Sequence, residues 1–244
     1  MTATARGGRT TYGHLVGILM SDSIIPRIPG DPGHAETFPF PVVYEVLEDF
    51  PFEDLISVKK DNIAKLIDPA LRLQHRGVSL VVTDCGLFGP YHDVFKAHLN
   101  VPFIGTALDL VPLLQHFYPA DRPIAIITGD TRILSSLHFE ASGIDPETIV
   151  IAGMENSSEF KRVVIERHLE LDIDQMRKGV SESAATLAEK NIGAVVLECT
   201  NLISYRGDIQ KILGVPVFDL VSLIELYVSG LSALNFQSRF ILPH

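Results

Sequence analysis

The chain has 244 residues, 46% hydrophobic and 20% charged, which suits one large or two small folded domains and excludes a disordered chain. A formal net charge of −10 lacks the basic footprint of a nucleic-acid binder and has the wrong sign for adhesion to an anionic membrane, so neither partner is expected. With 2 cysteines, Cys85 and Cys199, a disulfide framework is out; a reducing compartment is the simplest reading and the cytoplasm the expected location.

In chain order, residues 1–9 include the polar stretch Arg6-Gly7-Gly8-Arg9, lack the apolar core of a signal peptide, and are expected to form a flexible tail. Leu15-Val16-Gly17-Ile18-Leu19-Met20 is unbroken in apolar character, which predicts a strand buried on both faces. Prolines at 26, 29, 32, 39, 41 and 51 punctuate the next segment, with a turn at Gly30-Asp31-Pro32-Gly33. Its first part is too proline-rich for a helix and reads equally well as a surface loop or as a lid or pocket wall. Pro41 to Leu47 reads as a second strand. Ile63, Leu66, Ile67, Ala70, Leu71 and Leu73 have helical spacing, with Gly77 as the stop. Short apolar runs follow at Leu80–Thr83, Val101–Ile104, Ile124–Ile127, Ile149–Ile151, Ala194–Leu197 and Val215–Phe218. Helical stretches lie between most of them, the longest from about Leu171 to Lys190. Such alternation predicts parallel sheet covered by helices on both faces.

The chain repeats itself. Val81-Val82-Thr83-Asp84-Cys85 matches Val195-Val196-Leu197-Glu198-Cys199 at an offset of 114 residues, from 85 to 199. Tyr91 and Tyr205, Leu99 and Leu213, and Val101-Pro102 and Val215-Pro216 keep the same offset. Two copies predict two related α/β lobes rather than a solenoid. Each cysteine ends an apolar strand, and ligands of open parallel sheets bind beyond the carboxyl ends of the strands. Two lobes facing each other would then put one thiol on each side of a bound molecule. A lone cysteine is more often buried and structural, but chance explains two at matched positions poorly. The 9 histidines are scattered, and Cys-x-x-Cys, G-x-G-x-x-G and G-x-x-x-x-G-K are missing, so neither a metal nor a nucleotide cofactor is expected.

These residues resemble the aspartate/glutamate/hydantoin racemase superfamily, from the first strand to the helix after Val221. Leu197-Glu198-Cys199-Thr200-Asn201-Leu202 is similar to the family's Cys-Thr motif, and Thr83-Asp84-Cys85-Gly86 to its first cysteine segment. The resemblance implies two pseudo-symmetric flavodoxin-like lobes with the active site between them: lobe 1 from 10–115 plus 222–244, lobe 2 from 116–221. It implies a cofactor-independent isomerase, a racemase or epimerase of a small carboxylate substrate of the amino-acid or hydantoin type. Cys85 and Cys199 would be the catalytic pair, one thiolate as base and one thiol as acid, each thiolate stabilised by the start of the helix that follows it. Ser21, Asp22, Gly86, Thr128, Thr131, Thr200 and Asn201 would bind substrate, although helix capping accounts equally well for Ser21, Asp22, Thr128 and Thr131. Gly86-Leu87 and Thr200-Asn201 depart from the Asn-Thr and Thr-His of glutamate racemases, so glutamate is not implied as substrate. Asp84 and Glu198, one residue before each cysteine on a strand, are expected to point away and play a supporting part. Arg27, on the proline-rich loop, could meet a carboxylate, but a solvated arginine is the expectation. The same scaffold also carries maleate-isomerase-like and arylmalonate-decarboxylase-like chemistry, and a non-catalytic small-anion binder is the remaining alternative. Self-association into a homo-oligomer is left open.

Overall fold

The computed structural model describes residues 7–59 and 63–231. Of the expected tail 1–9, residues 1–6 lie outside the described residues, as do 232–244 of the C-terminal segment.

The strands are β1 Val16–Ser21, β2 Val42–Leu47, β3 Leu80–Thr83, β4 Phe103–Ile104, β5 Ile124–Thr128, β6 Ile149–Gly153, β7 Val195–Leu197 and β8 Val217–Phe218. The helices are α1 Phe52–Ile56, α2 Ile63–His75, α3 His92–His98, α4 Leu110–Gln115, α5 Ser136–Ala141, α6 Ser158–Phe160, α7 Ile173–Ala185, α8 Arg206–Leu213 and α9 Leu220–Leu231. A wide π turn, Lys161–Ile165, continues α6. The long predicted helix is shorter than its sequence pattern because Asp172 caps it. The Asp172 carboxylate accepts from the N–H groups of Asp174 and Gln175 at 3.1 and 3.0 Å, leaving Leu171 outside.

Two four-stranded sheets form, in the orders β2-β1-β3-β4 and β6-β5-β7-β8, and every pairing is parallel. The two orders are the same arrangement, that of the flavodoxin-like half-sheet. The repeat offset survives in the register: Val81 pairs with Phe103, and Val195 with Val217. The central strands are apolar on both sides because both sides are covered. On β5, Ile124 and Ile126 enter one apolar cluster and Ala125 and Ile127 the other, the alternation of a pleated strand. Met176 and Val180 of α7 and Ile209 of α8 cover the second face. Leu220, Val221, Ile224 and Val228 of α9 run back into the cluster shared with lobe 1. No helix among the described residues is long and apolar enough to cross a membrane.

The proline-rich segment after β1 forms a strap across the lobes. Ser204 Oγ, on the loop that follows Cys199, donates to the Pro29 carbonyl at 2.8 Å, and Asn201 Nδ2 donates to Asp31 Oδ2 at 3.0 Å. Gly30 makes the approach possible. Its φ is +110°, and a Cβ there would sit 2.9 Å from the Ser204 backbone nitrogen, so a side chain would push the strap off lobe 2.

Candidate active site

Each cysteine stands just past a central strand, where the chain turns from sheet to helix. Cys85 follows β3 and opens the 3-10 turn Gly86–Tyr91 that runs into α3. Cys199 follows β7 and opens the equivalent turn Thr200–Tyr205 that runs into α8. Neither side chain is used as a cap and neither is in a disulfide; the Cys199 thiol donates to Asn201 Oδ1 at 3.8 Å. Both line one cavity of about 840 Å³ between the lobes. The cysteine loops touch: the Thr200 hydroxyl donates to the Asp84 carbonyl across the lobe boundary. Gly86 lies so close under Glu198 that a Cβ would collide with the Glu198 carbonyl oxygen and Oε1.

Asp84 and Glu198 also line the cavity, which corrects the expectation that they point away. Strand alternation ends with Thr83 and Leu197, so it no longer sets the direction of the next two side chains. Asp84 is buried and accepts from the Ser21 N–H at 2.9 Å, the Ser21 hydroxyl at 2.7 Å and Arg27 Nη2 at 2.7 Å. Arg27 reaches Asp31 through Nη1 at 2.8 Å. It is therefore a buried ion-pair centre, not the solvated arginine expected from the sequence. Burial works against its charge, but Asp84 and then Asp31 outweigh that and hold its pKa above the usual value. Glu198 is equally buried, and its Oε2 accepts from the Thr128 hydroxyl at 2.6 Å. Burial pushes its pKa up to about 7, with the Thr128 hydroxyl pulling back.

The thiols are not pre-ionised. Burial pushes Cys85 well above its ordinary range, Glu198 and Asp84 push further, and the Leu87 N–H works the other way. Cys199 is raised by burial and then by Glu198, against the Asn201 N–H. The backbone at the start of each turn does favour a thiolate, as expected, but desolvation and the carboxylates win. Two neutral thiols therefore face a negatively charged cluster.

The sequence pattern of the Asp/Glu/Hydantoin racemase family matches residues 41–224. The chain belongs to that family. Among curated relatives in sequence, a dimethylsulfoniopropionate lyase of Durusdinium sp. clade D is 25% identical over 225 residues, 88% of this chain and 74% of that protein. Dimethylsulfoniopropionate lyase 3 of Emiliania huxleyi is 26% identical over 236 residues, 92% of this chain and 61% of that protein. The chain thus spans less than two thirds of the latter relative. In fold it resembles an allantoin racemase from Klebsiella pneumoniae, with TM-score 0.60 and 17% identity over 94% of this chain and 96% of that one. It also resembles glutamate racemase RacE1 from Bacillus anthracis, with TM-score 0.59 and 16% identity over 89% and 81%. Unliganded arylmalonate decarboxylase superposes at TM-score 0.55 with 15% identity over 90% and 94%. The two-lobe α/β architecture is that of these racemases.

Within this racemase-family cavity stand Ser21, Asp22, Thr128, Thr200 and Asn201 of the residues predicted to meet substrate. Gly86 and Thr131 are outside its lining. Gly86 is packed beneath Glu198, and the Thr131 hydroxyl donates to Glu155 Oε1 at 2.9 Å. The donors of Ser21, Thr128, Thr200 and Asn201 are engaged by Asp84 Oδ1, Glu198 Oε2, the Asp84 carbonyl and Asp31; the first two bonds lie within a lobe and the last two join the lobes at the cavity floor. Sequence reasoning missed the Arg27–Asp31 pair, although opposite charges 4 residues apart in the proline-rich loop were a weak signal. It also missed the apolar walls. Leu47, Phe50 and Phe52 line one side and Met154, Phe160 and Val164 the other. These come from strand ends and short segments without a readable period. Arg167 also lines the cavity; it is exposed, has φ +60°, and makes no ion pair among the described residues.

Proposed function

We propose that the protein is a cofactor-independent racemase or epimerase of a small carboxylate substrate of the amino-acid or hydantoin type. One sulfur takes the proton from the carbon beside the carboxylate, and the other returns a proton to the opposite face. The observation that carries this reading is that Cys85 and Cys199, at matched strand ends of the two lobes, open into one cavity. Arg167, at the cavity and without an ion pair among the described residues, supports an anionic substrate, whereas Arg27 is consumed by its two aspartates. The apolar walls favour a substrate with an apolar part beside its carboxylate, and they exclude water from the thiolate that must form.

A second reading is favoured by the sequence relatives named dimethylsulfoniopropionate lyases. Proton removal beside a carboxylate, followed by loss of a leaving group from the next carbon, is a β-elimination. It needs the same base and no second proton on carbon. Phe50, Phe52 and Phe160 are suited to a sulfonium group, because aromatic faces attract cations.

One experiment separates the two. The purified protein is incubated in deuterated water with amino acids, hydantoins, small dicarboxylates and dimethylsulfoniopropionate, and followed by NMR and chiral chromatography. Deuterium at the α-carbon with inversion is expected from the racemase; acrylate and dimethyl sulfide would transfer the assignment to the lyase. Neither product with any substrate would remove the catalytic reading.

A further inference from the structure

The repeat sets a carboxylate before each cysteine, and the fold treats the two differently. Asp84 is neutralised by Arg27 and held by two hydrogen bonds from Ser21. Glu198, its counterpart, has no ion pair among the described residues, and the hydrogen bond to its carboxylate comes from Thr128. It is carried by lobe 2 beside Cys199, yet its side chain lies against Gly86, the residue after Cys85 in lobe 1. A buried carboxylate without a cation is costly, and an amide would accept the Thr128 hydroxyl equally well. What an amide cannot do is take up a proton.

We propose that Glu198 is the proton acceptor shared by both cysteines, taking the proton of whichever thiol is to act as base and restoring it after turnover. This rests on the two-thiol reading above. At rest the cluster holds one carboxylate and two thiols. A proton passes from one S–H to Glu198, leaving a thiolate and a neutral carboxyl. The thiolate breaks the substrate C–H bond by taking its proton, and the opposite thiol forms the new C–H bond by giving up its own. That second sulfur, now a thiolate, recovers the proton from Glu198. One C–H bond is broken and one formed, no electrons are transferred to or from a partner, and the cluster and the reacting carbon together carry one negative charge throughout. The transfer also removes the repulsion that opposes the thiolate, since Glu198 is a charge that both thiols feel. A carboxyl poised at about 7 can both accept and return a proton near neutrality. Around it, Asp84 is tied to Arg27 beyond Cys85, Asp31 stands beyond Cys199, and on the β5 side Asp130 is paired with Arg132. Among the described residues, Glu198 is thus the carboxylate beside the thiols that no cation pairs.

The test compares wild type with Glu198→Gln, Glu198→Asp and Thr128→Val in the full chain, with circular dichroism as the folding control. Iodoacetamide alkylation of each cysteine is resolved by mass spectrometry from pH 6 to 10, and α-deuterium exchange is followed over the same range. In Glu198→Gln both thiols should ionise at lower pH, raising alkylation at pH 8 by up to about tenfold. Turnover should nevertheless fall about 100-fold and lose its acid limb. Glu198→Asp should recover part of the turnover. Thr128→Val, which removes the hydrogen bond favouring the ionised carboxyl, should move the acid limb to higher pH. Turnover within about threefold of wild type in Glu198→Gln, or coincident alkylation curves, would overturn the proposal. If Glu198→Gln does not fold, an unmoved acid limb in Thr128→Val overturns it. If wild type turns over no carboxylate, the functional reading fails, and the alkylation curves still decide whether Glu198 is coupled to the thiols.

Discussion

Replacing Arg27 by Met should break the buried ion cluster of lobe 1 that holds the strap at the cavity floor. The Arg27, Asp31 and Asp84 side chains are 13%, 4% and 1% exposed, so the ion cluster is nearly dry. Removing one partner of a buried pair costs about 3–5 kcal/mol, because the remaining charge is left uncompensated. Here the lower end applies. Asp84 keeps both Ser21 hydrogen bonds, and Asp31 keeps the Gly33 N–H at 2.7 Å and Asn201 Nδ2 at 3.0 Å. A loss of about 3 kcal/mol corresponds to roughly 6–12 °C in Tm for a chain of this size. The loss should depend on pH. Burial already raises the Asp84 pKa, with Arg27 opposing it, so the substitution raises it further. For an acid raised in the folded state, the penalty is complete above the folded pKa and is relieved as pH falls through it. The gap between variant and wild type should therefore narrow from pH 8 to pH 5. Urea unfolding followed by circular dichroism at both values measures it. A difference below about 0.5 kcal/mol at pH 8, or a gap unchanged by pH, would refute the view that this cluster anchors the strap and stabilises the fold.

Cys85→Ala and Cys199→Ala should each abolish racemisation, by about 100-fold or more, while each still exchanges the α-proton of one enantiomer and the enantiomer differs between them; NMR in deuterated water reads both. Full activity in both folded variants would make the cysteines structural. Arg167→Ala should raise KM by about two- to fivefold with little change in kcat, the size expected for losing an exposed charge contact, and initial-rate kinetics at low salt would reveal it. Glu198→Gln should be more stable than wild type at pH 8. With its pKa raised from 4.5 to about 7, the ionised glutamate costs the fold about 3 kcal/mol above pH 7 and nothing below pH 4, so the advantage should vanish as pH falls. Urea midpoints at pH 8 and 5 check this, and equal midpoints at pH 8 would show that the buried charge carries no such cost.

The sequence alone determined the sheets and the two thiols. Unbroken apolar runs as short as Val16–Met20 and Ile124–Ile127, alternating with helical patterns, read as strands covered on both faces, and that follows from local composition. The shared offset carried Cys85 and Cys199 to matched strand ends, because a repeated supersecondary unit keeps its register: Val81 with Phe103, Val195 with Val217. The charge state of the site belonged to the tertiary structure. Asp84 and Glu198 occupy equivalent positions in the repeat and look alike in sequence, yet one meets an arginine 57 residues away and the other meets a threonine hydroxyl 70 residues away. The strap likewise closes between Asp31 and Asn201 across 170 residues. Periodicity reports which face of an element is apolar, since that depends on neighbours within a turn or two. Ionisation depends on desolvation and on charges a few ångströms away in space, and those partners are set only when the lobes meet.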